Sequence, residues 1–175
     1  MRASSKSGRD EPERAFRQEL VLQLPPMRAF ARALTLNAVE ADDLVQEAML
    51  RAWRSRADFE PGANFRAWLF KIVRNQFYSS KRKAWRWAPL DPQVAEQTLV
   101  AADDPSSGLS LEAVREAIGR LPPGQREALL LVGAAGVSYE EAAQICAVAI
   151  GTVKSRVSRA RHALFQMLEP AGGSD

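Results

Sequence analysis

The chain has 175 residues, 46% of them hydrophobic and 26% charged, which is the make-up of a soluble globular protein of one domain or two small ones. No apolar run reaches the roughly 20 residues that a bilayer demands, and the opening Met-Arg-Ala-Ser-Ser-Lys lacks the apolar centre of a secretory signal. The expected compartment is therefore the cytoplasm, without membrane insertion. One cysteine, Cys146, and one histidine, His162, leave no intrachain disulfide and argue against structural zinc. No phosphate-cradling Walker A sequence, metal-ligand cluster or nucleophilic triad is present, so neither a catalytic site nor a cofactor is expected.

The net charge of +3 hides a strong pattern. Lys71, Arg74, Lys81, Arg82, Lys83 and Arg86 form a block without acids. Lys154, Arg156, Arg159 and Arg161 form a second. Between them Asp91, Glu96, Asp103 and Asp104 stand without a base from Ala88 to Leu111. Two basic blocks around an acidic connector point to two contacts with one polyanion.

In chain order, residues 1–12 are polar and expected to be disordered. Helical periodicity then dominates, with no period-2 alternation, so the fold class is all-α. A first helix is expected over about 15–34, broken or kinked at Pro25 and Pro26. A second runs over about 38–56, with Asn37 as N-cap and Glu40, Asp42 and Asp43 in or near its first turn. Phe59–Asn64 reads as a turn, and a third helix covers about 65–83. Pro89, Pro92 and the Asp103–Gly108 stretch mark a linker over 84–109, far longer than the about 4–6 residues of ordinary connections. Helices follow over about 110–120, 122–135, 138–146 and 149–168, and the tail 169–175 is expected to be disordered. The units are therefore 13–83 and 110–168, each just large enough for a helical core.

Ser138-Tyr-Glu-Glu141 is a capping box that opens a short helix. The turn Ala147-Val-Ala149 and a long basic helix come next, which is a helix-turn-helix pattern. Ile150, Val153, Val157, Ala160 and Leu164 form the stripe expected to be buried. Lys154, Ser155, Ser158, Arg159 and His162 point elsewhere and offer donors to phosphates and base edges in a major groove. A solvated cationic helix is the alternative, and the capped helix and turn before it weigh against that.

In the third helix Trp68, Leu69, Ile72, Val73 and Phe77 are core candidates. Lys71, Arg74, Asn75, Tyr78 and Arg82 lie on other faces, where cations, an aromatic ring and an amide meet the needs of unpaired DNA. A core helix with solvated cations fits that segment equally well. In the second helix Asp43, Gln46, Glu47 and Leu50 share a face. Either it meets a cationic partner, or it is a solvated surface with a Glu47–Arg51 pair.

Four segments together resemble the extracytoplasmic-function (ECF, group 4) sigma factors of the sigma-70 family: Asp42-Asp-Leu-Val-Gln-Glu-Ala48, Phe65-Arg-Ala-Trp-Leu-Phe-Lys-Ile-Val-Arg-Asn75, Leu121-Pro-Pro-Gly-Gln-Arg-Glu-Ala128 and Gly151-Thr-Val-Lys-Ser-Arg-Val-Ser-Arg-Ala-Arg161. Leu129–Ala143 further resembles the EcfG type, which serves the general stress response. The resemblance implies sigma region 2 over 13–83 and region 4 over 110–168. It implies that Asp42, Asp43, Gln46, Glu47, Leu50 and Arg51 bind the β′ clamp of RNA polymerase core, with the β flap as a further contact. It implies −10 contacts from Asn64, Lys71, Arg74, Asn75, Tyr78 and Arg82, with Asp58–Asn64 near a flipped base. It implies −35 contacts from Thr152, Lys154, Ser155, Arg156, Ser158, Arg159 and Arg161. It also implies an anti-sigma factor of the NepR type, and an acidic linker lying toward the RNA exit path. Two departures concern helix geometry: Ala147 where many members have glycine, and Ala149 where serine is frequent.

The expected function is thus a promoter-specificity subunit that starts transcription. A sigma-like decoy that sequesters an anti-sigma factor without binding DNA is the main alternative, and a simple DNA-binding regulator a third. The retained cations of the last helix weigh against the decoy, and the acidic Asp42–Glu47 face against the simple regulator.

Overall fold

The computed structural model of the chain describes residues 7–87 and 110–169, all helix and short turns. The first half holds α1 (Ser7–Leu22), α2 (Leu24–Thr35), α3 (Ala38–Arg54) and α4 (Phe65–Trp87). The second holds α5 (Leu111–Arg120), α6 (Pro123–Gly133), α7 (Tyr139–Cys146) and α8 (Ile150–Leu168).

Several boundaries follow from local chemistry. Pro25 and Pro26 occupy the opening positions of α2, where a missing N–H costs nothing and the fixed φ suits a helix. They therefore divide the expected first helix into two. Asn37 caps α3, its side-chain oxygen accepting from the Glu40 amide at 3.0 Å. The capping box of α7 is complete: the Glu141 amide donates to Ser138 Oγ at 3.1 Å and the Ser138 amide to Glu141 Oε2 at 2.7 Å.

Three expectations need correcting. Helix α1 begins at Ser7, inside the segment expected to be disordered. Helix α4 continues to Trp87, so the expected linker start at 84 falls inside a helix, with nothing but good helix formers and tryptophans to stop it. The end of α3 is followed by a single 3-10 turn, Arg56–Asp58, in place of a longer helix. The expected linker beyond Trp87 and the tail from 170 lie outside the described residues.

The core of the first half joins Met27, Phe30, Leu34, Val45, Leu69, Phe70 and Val73, all nearly or fully inaccessible. Beside it Phe16, Phe59, Phe65 and Trp68 meet edge-on or tilted, with centroids 5.2–6.4 Å apart. The second half packs Ala128, Leu131, Ala142, Ile145, Val153, Val157 and Ala160. The expected stripe on α8 holds at Val153, Val157 and Ala160, whereas Ile150, in the first helical turn, is 36% exposed and Leu164, in the last part of the helix, is half-buried. The halves touch through α4 against α7 and α2 against α6. Their buried side chains form a contiguous cluster.

Candidate nucleic-acid interface

Helix α8 supplies one candidate surface. Its buried stripe seats it on α6 and α7, which leaves Lys154, Ser155, Ser158, Arg159, Arg161 and His162 exposed. Arg159 leans back along the helix, Nε donating to the Ser155 carbonyl at 3.2 Å and Nη2 to Ser155 Oγ at 3.2 Å. Thr152 is half-buried. Arg156 also departs from the outward face: it is half-buried, with its guanidinium carbon 3.3 Å from where a Cβ on Gly124 would stand. The absence of a side chain at Gly124 makes room for it.

The turn before α8 carries the cost of this geometry. Ala147 ends α7 with φ 54°, a left-handed conformation that glycine adopts more readily. Ala149 precedes α8 with no side-chain cap; its carbonyl accepts from the Thr152 and Val153 amides at 2.9 and 3.2 Å, which leaves the two amides before them without a side-chain acceptor from the cap position.

Helix α4 supplies the second surface. Lys71, Asn75 and Arg82 are exposed, and Arg74 and Tyr78 half-buried. Arg74 lies 5.0 Å from the Tyr78 ring centroid and donates from Nε to Glu127 Oε1 at 2.6 Å. Glu127, on α6, is the buried charged residue of the described core, 2% exposed. Burial works to lower the Arg74 pKa, but the bond and charge of Glu127 outweigh it and hold the group above its ordinary value. Tyr78 is raised by burial and then by the Glu127 charge. Asn64 closes the N-terminus of α4, Oδ1 accepting from the Ala67 amide at 2.9 Å, while its Nδ2 donates to Glu141 Oε1 at 2.9 Å.

Helix α3 supplies a third, acidic surface. Asp42, Asp43, Gln46, Glu47, Leu50 and Arg51 are all exposed. Leu50 is half uncovered, and a groove beside it is lined by Asp43, Glu47, Gln76, Phe77 and Lys81. Among the described residues the ion pairs do not include Glu47 with Arg51, so that carboxylate is not neutralised along its own helix.

Sequence reasoning missed Arg66 on α4, which donates to the Ala135 carbonyl, and missed Glu127 and Glu141 as partners of Arg74 and Asn64. A signal existed for Glu127: it shares a helical face with the buried Leu130 and Leu131, so a carboxylate there had to find a cation.

Comparison with known proteins gives the family. The sigma-70 region 2 model matches residues 20–86, and the sigma-70 region 4 model matches 111–164. The ECF RNA polymerase sigma factor EcfG of Rhodopseudomonas palustris (strain TIE-1) is 46% identical over 161 residues, which cover 92% of this chain and 89% of that protein. The chain belongs to the ECF sigma factors of the sigma-70 family. The sigma factor CnrH of Cupriavidus metallidurans is 30% identical across 90% of this chain and 88% of its own. The solved sigma factor RpoE of Bartonella quintana, in complex with the anti-sigma factor NepR, superposes with a TM-score of 0.80 at 44% identity, covering 90% of this chain and 99% of that one. This sigma factor accordingly acts in transcription initiation, with the region 2 match running from the end of α1 through α4 and the region 4 match over α5–α8.

Proposed function

We propose that this sigma factor is of the EcfG type and directs RNA polymerase to stress-response promoters. In this reading the α3 residues Asp42, Asp43, Gln46, Glu47, Leu50 and Arg51 dock on the β′ clamp, and region 4 also meets the β flap. Asn64, Lys71, Arg74, Asn75, Tyr78 and Arg82 engage the −10 element as a single strand, so binding energy offsets the unstacking of the bases. Lys154, Ser155, Ser158, Arg159 and Arg161 read the −35 element in the major groove, flanked by Thr152 and Arg156. The acidic linker lies toward the RNA path, and a NepR-type anti-sigma factor holds the protein in reserve. The protein works in the cytoplasm beside the polymerase, which supplies all the chemistry.

The observation that carries this reading is the outer face of α8. Its cations and hydroxyls are exposed behind a buried stripe, directly after a capped helix and a tight turn. The 46% identity to an EcfG protein supports the subgroup, and the similarity to a sigma factor solved with NepR supports the regulator.

The test is run-off transcription with sigma-free core polymerase and an EcfG-type promoter. Specific transcripts are expected, and added NepR-type protein should suppress them. No transcript together with firm NepR binding would overturn the reading in favour of a decoy.

A further inference from the structure

The two halves are joined by side chains that the −10 strand also needs. Arg74 of α4 meets Glu127 of α6 with two contacts, Nε to Oε1 at 2.6 Å and Nη2 to Oε2 at 3.4 Å. Asn64, before α4, donates to Glu141 of α7. Arg66, in the first turn of α4, donates to the Ala135 carbonyl. On the far side Leu36, held at φ 57°, packs so near α5 that a Cβ on Gly119 would lie 3.2 Å from its Cδ1. Three donors of region 2 thus end on acceptors of region 4, and two of those acceptors are carboxylates.

A carboxylate presents a guanidinium with the same paired anionic oxygens as a phosphate. Glu127 is almost fully buried, and without Arg74 it would be a charge cut off from water. While the halves are packed, each member of the pair holds the other, and Arg74 is not free for a nucleotide.

We propose that this contact is an autoinhibitory latch, in which Glu127 and Glu141 stand in for the −10 strand on Arg74 and Asn64, so that the strand and region 4 compete for region 2. This rests on the reading of Arg74 and Asn64 as −10 contacts. Opening exchanges Glu127 for a phosphate on Arg74 and returns the Glu127 carboxylate to water. The faces of α3 and α8 lie outside the latch, so the closed protein still presents its polymerase-facing and −35 surfaces.

The chain's single cysteine is a built-in reporter. Cys146 ends α7, buried beside the latch. Burial, and then the Glu127 charge, push its thiol up to about 12 against the opposing pull of Arg74. A protonated, shielded thiol reacts slowly until the halves part.

The experiment uses the full chain. One measurement is the rate of Cys146 modification by a thiol-reactive disulfide reagent. The other is affinity for a fluorescent non-template oligonucleotide carrying the −10 element of a promoter that the holoenzyme transcribes. Glu127→Gln, which preserves shape, should raise the thiol rate about tenfold and tighten strand binding several-fold, since apparent affinity scales with the open fraction. Arg74→Ala breaks the pair from region 2, without altering the core of region 4, and should raise the thiol rate similarly. Unchanged thiol rates in both variants would overturn the latch. Faster labelling with unchanged strand affinity in Glu127→Gln would overturn the competition. The underlying reading is checked separately: adding Arg74→Ala to Glu127→Gln should weaken strand binding, and failure there would reject Arg74 as a −10 contact while the thiol rates still report the latch.

Discussion

Region 2 buries large aromatic rings, whereas the buried apolar side chains described in region 4 are aliphatic apart from Cys146. In the first, Phe30 and Phe70 lie 5.6 Å apart at the centre of three helices, and a second aromatic group ties α1 to α4. In the second, the core is filled by Leu131, Ile145, Val153 and Val157. Large rings cannot be repacked once they are interlocked. Each half also keeps one non-glycine residue in a left-handed conformation, Leu36 at φ 57° in region 2 and Ala147 at φ 54° in region 4. The difference places rigidity in the half proposed to hold an unpaired strand.

The sharpest test of that contrast is Phe70→Ala. The ring is fully buried, so its loss should lower stability by about 3–5 kcal/mol, read by urea unfolding of the full chain. A cost near 1 kcal/mol would mean that the aromatic platform relaxes easily, and the contrast would collapse. The next largest effect concerns binding. Asp43→Lys with Glu47→Lys reverses an exposed acidic face that has no structural duty in the fold. Affinity for core polymerase should fall by at least about tenfold, because like charges then oppose each other. Binding of the −35 duplex should be unchanged, and retained polymerase affinity would reject the clamp assignment. In region 4, Lys154→Ala with Arg159→Ala should weaken −35 binding and reduce the salt-dependence slope by about 2. Polymerase affinity should hold. Equal loss of both activities would point to unfolding.

Much of this architecture is legible in the sequence because its causes are local. Asn37 announces α3, Ser138 and Glu141 announce α7, and the spacing of Val153, Val157 and Ala160 orients α8. The left-handed turn residue and the missing cap before α8 are likewise visible as Ala147 and Ala149. The contact between the halves is not legible. Its bonds join residues 53 and 77 positions apart, across a long connector, and no periodicity encodes such pairings. The inward turn of Arg156 has the same origin, since it depends on the open space over Gly124. Phe70 was not among the core candidates of α4, yet it is fully buried. Here α2 and α3 both pack on α4.

Smaller effects probe the strain directly. Ala147→Gly should stabilise by about 1 kcal/mol, since glycine adopts the left-handed turn without a clash. Ala149→Ser should add a comparable amount by capping α8. Both are read as shifts in thermal midpoint, and both should leave −35 affinity intact if the present turn already sets the helix correctly. Increased affinity would show instead that strain in the turn tilts the reading helix.

The smallest effect joins the two halves. Burial tends to raise the Glu141 carboxyl, but the Ser138 amide, the Asn64 side chain and the Arg66 charge outweigh it and hold the group below the ordinary carboxylate range. A folded-state value below the unfolded one means stability that is present above the unfolded value and lost as pH falls through the folded one. Glu141→Gln keeps a side chain able to serve the capping box but removes the titration, so it should flatten part of the acid loss seen below about pH 5. Two of the groups that depress Glu141, Asn64 and Arg66, belong to region 2. Asn64→Ala should therefore reduce the same acid loss while leaving the Ser138 cap in place. An unaltered stability profile in Asn64→Ala, beside a flattened one in Glu141→Gln, would confine the effect to the cap of α7 and remove region 2 from it. Flattening in both would show that acid weakens the cap of the helix-turn-helix and the contact between the halves through one carboxylate.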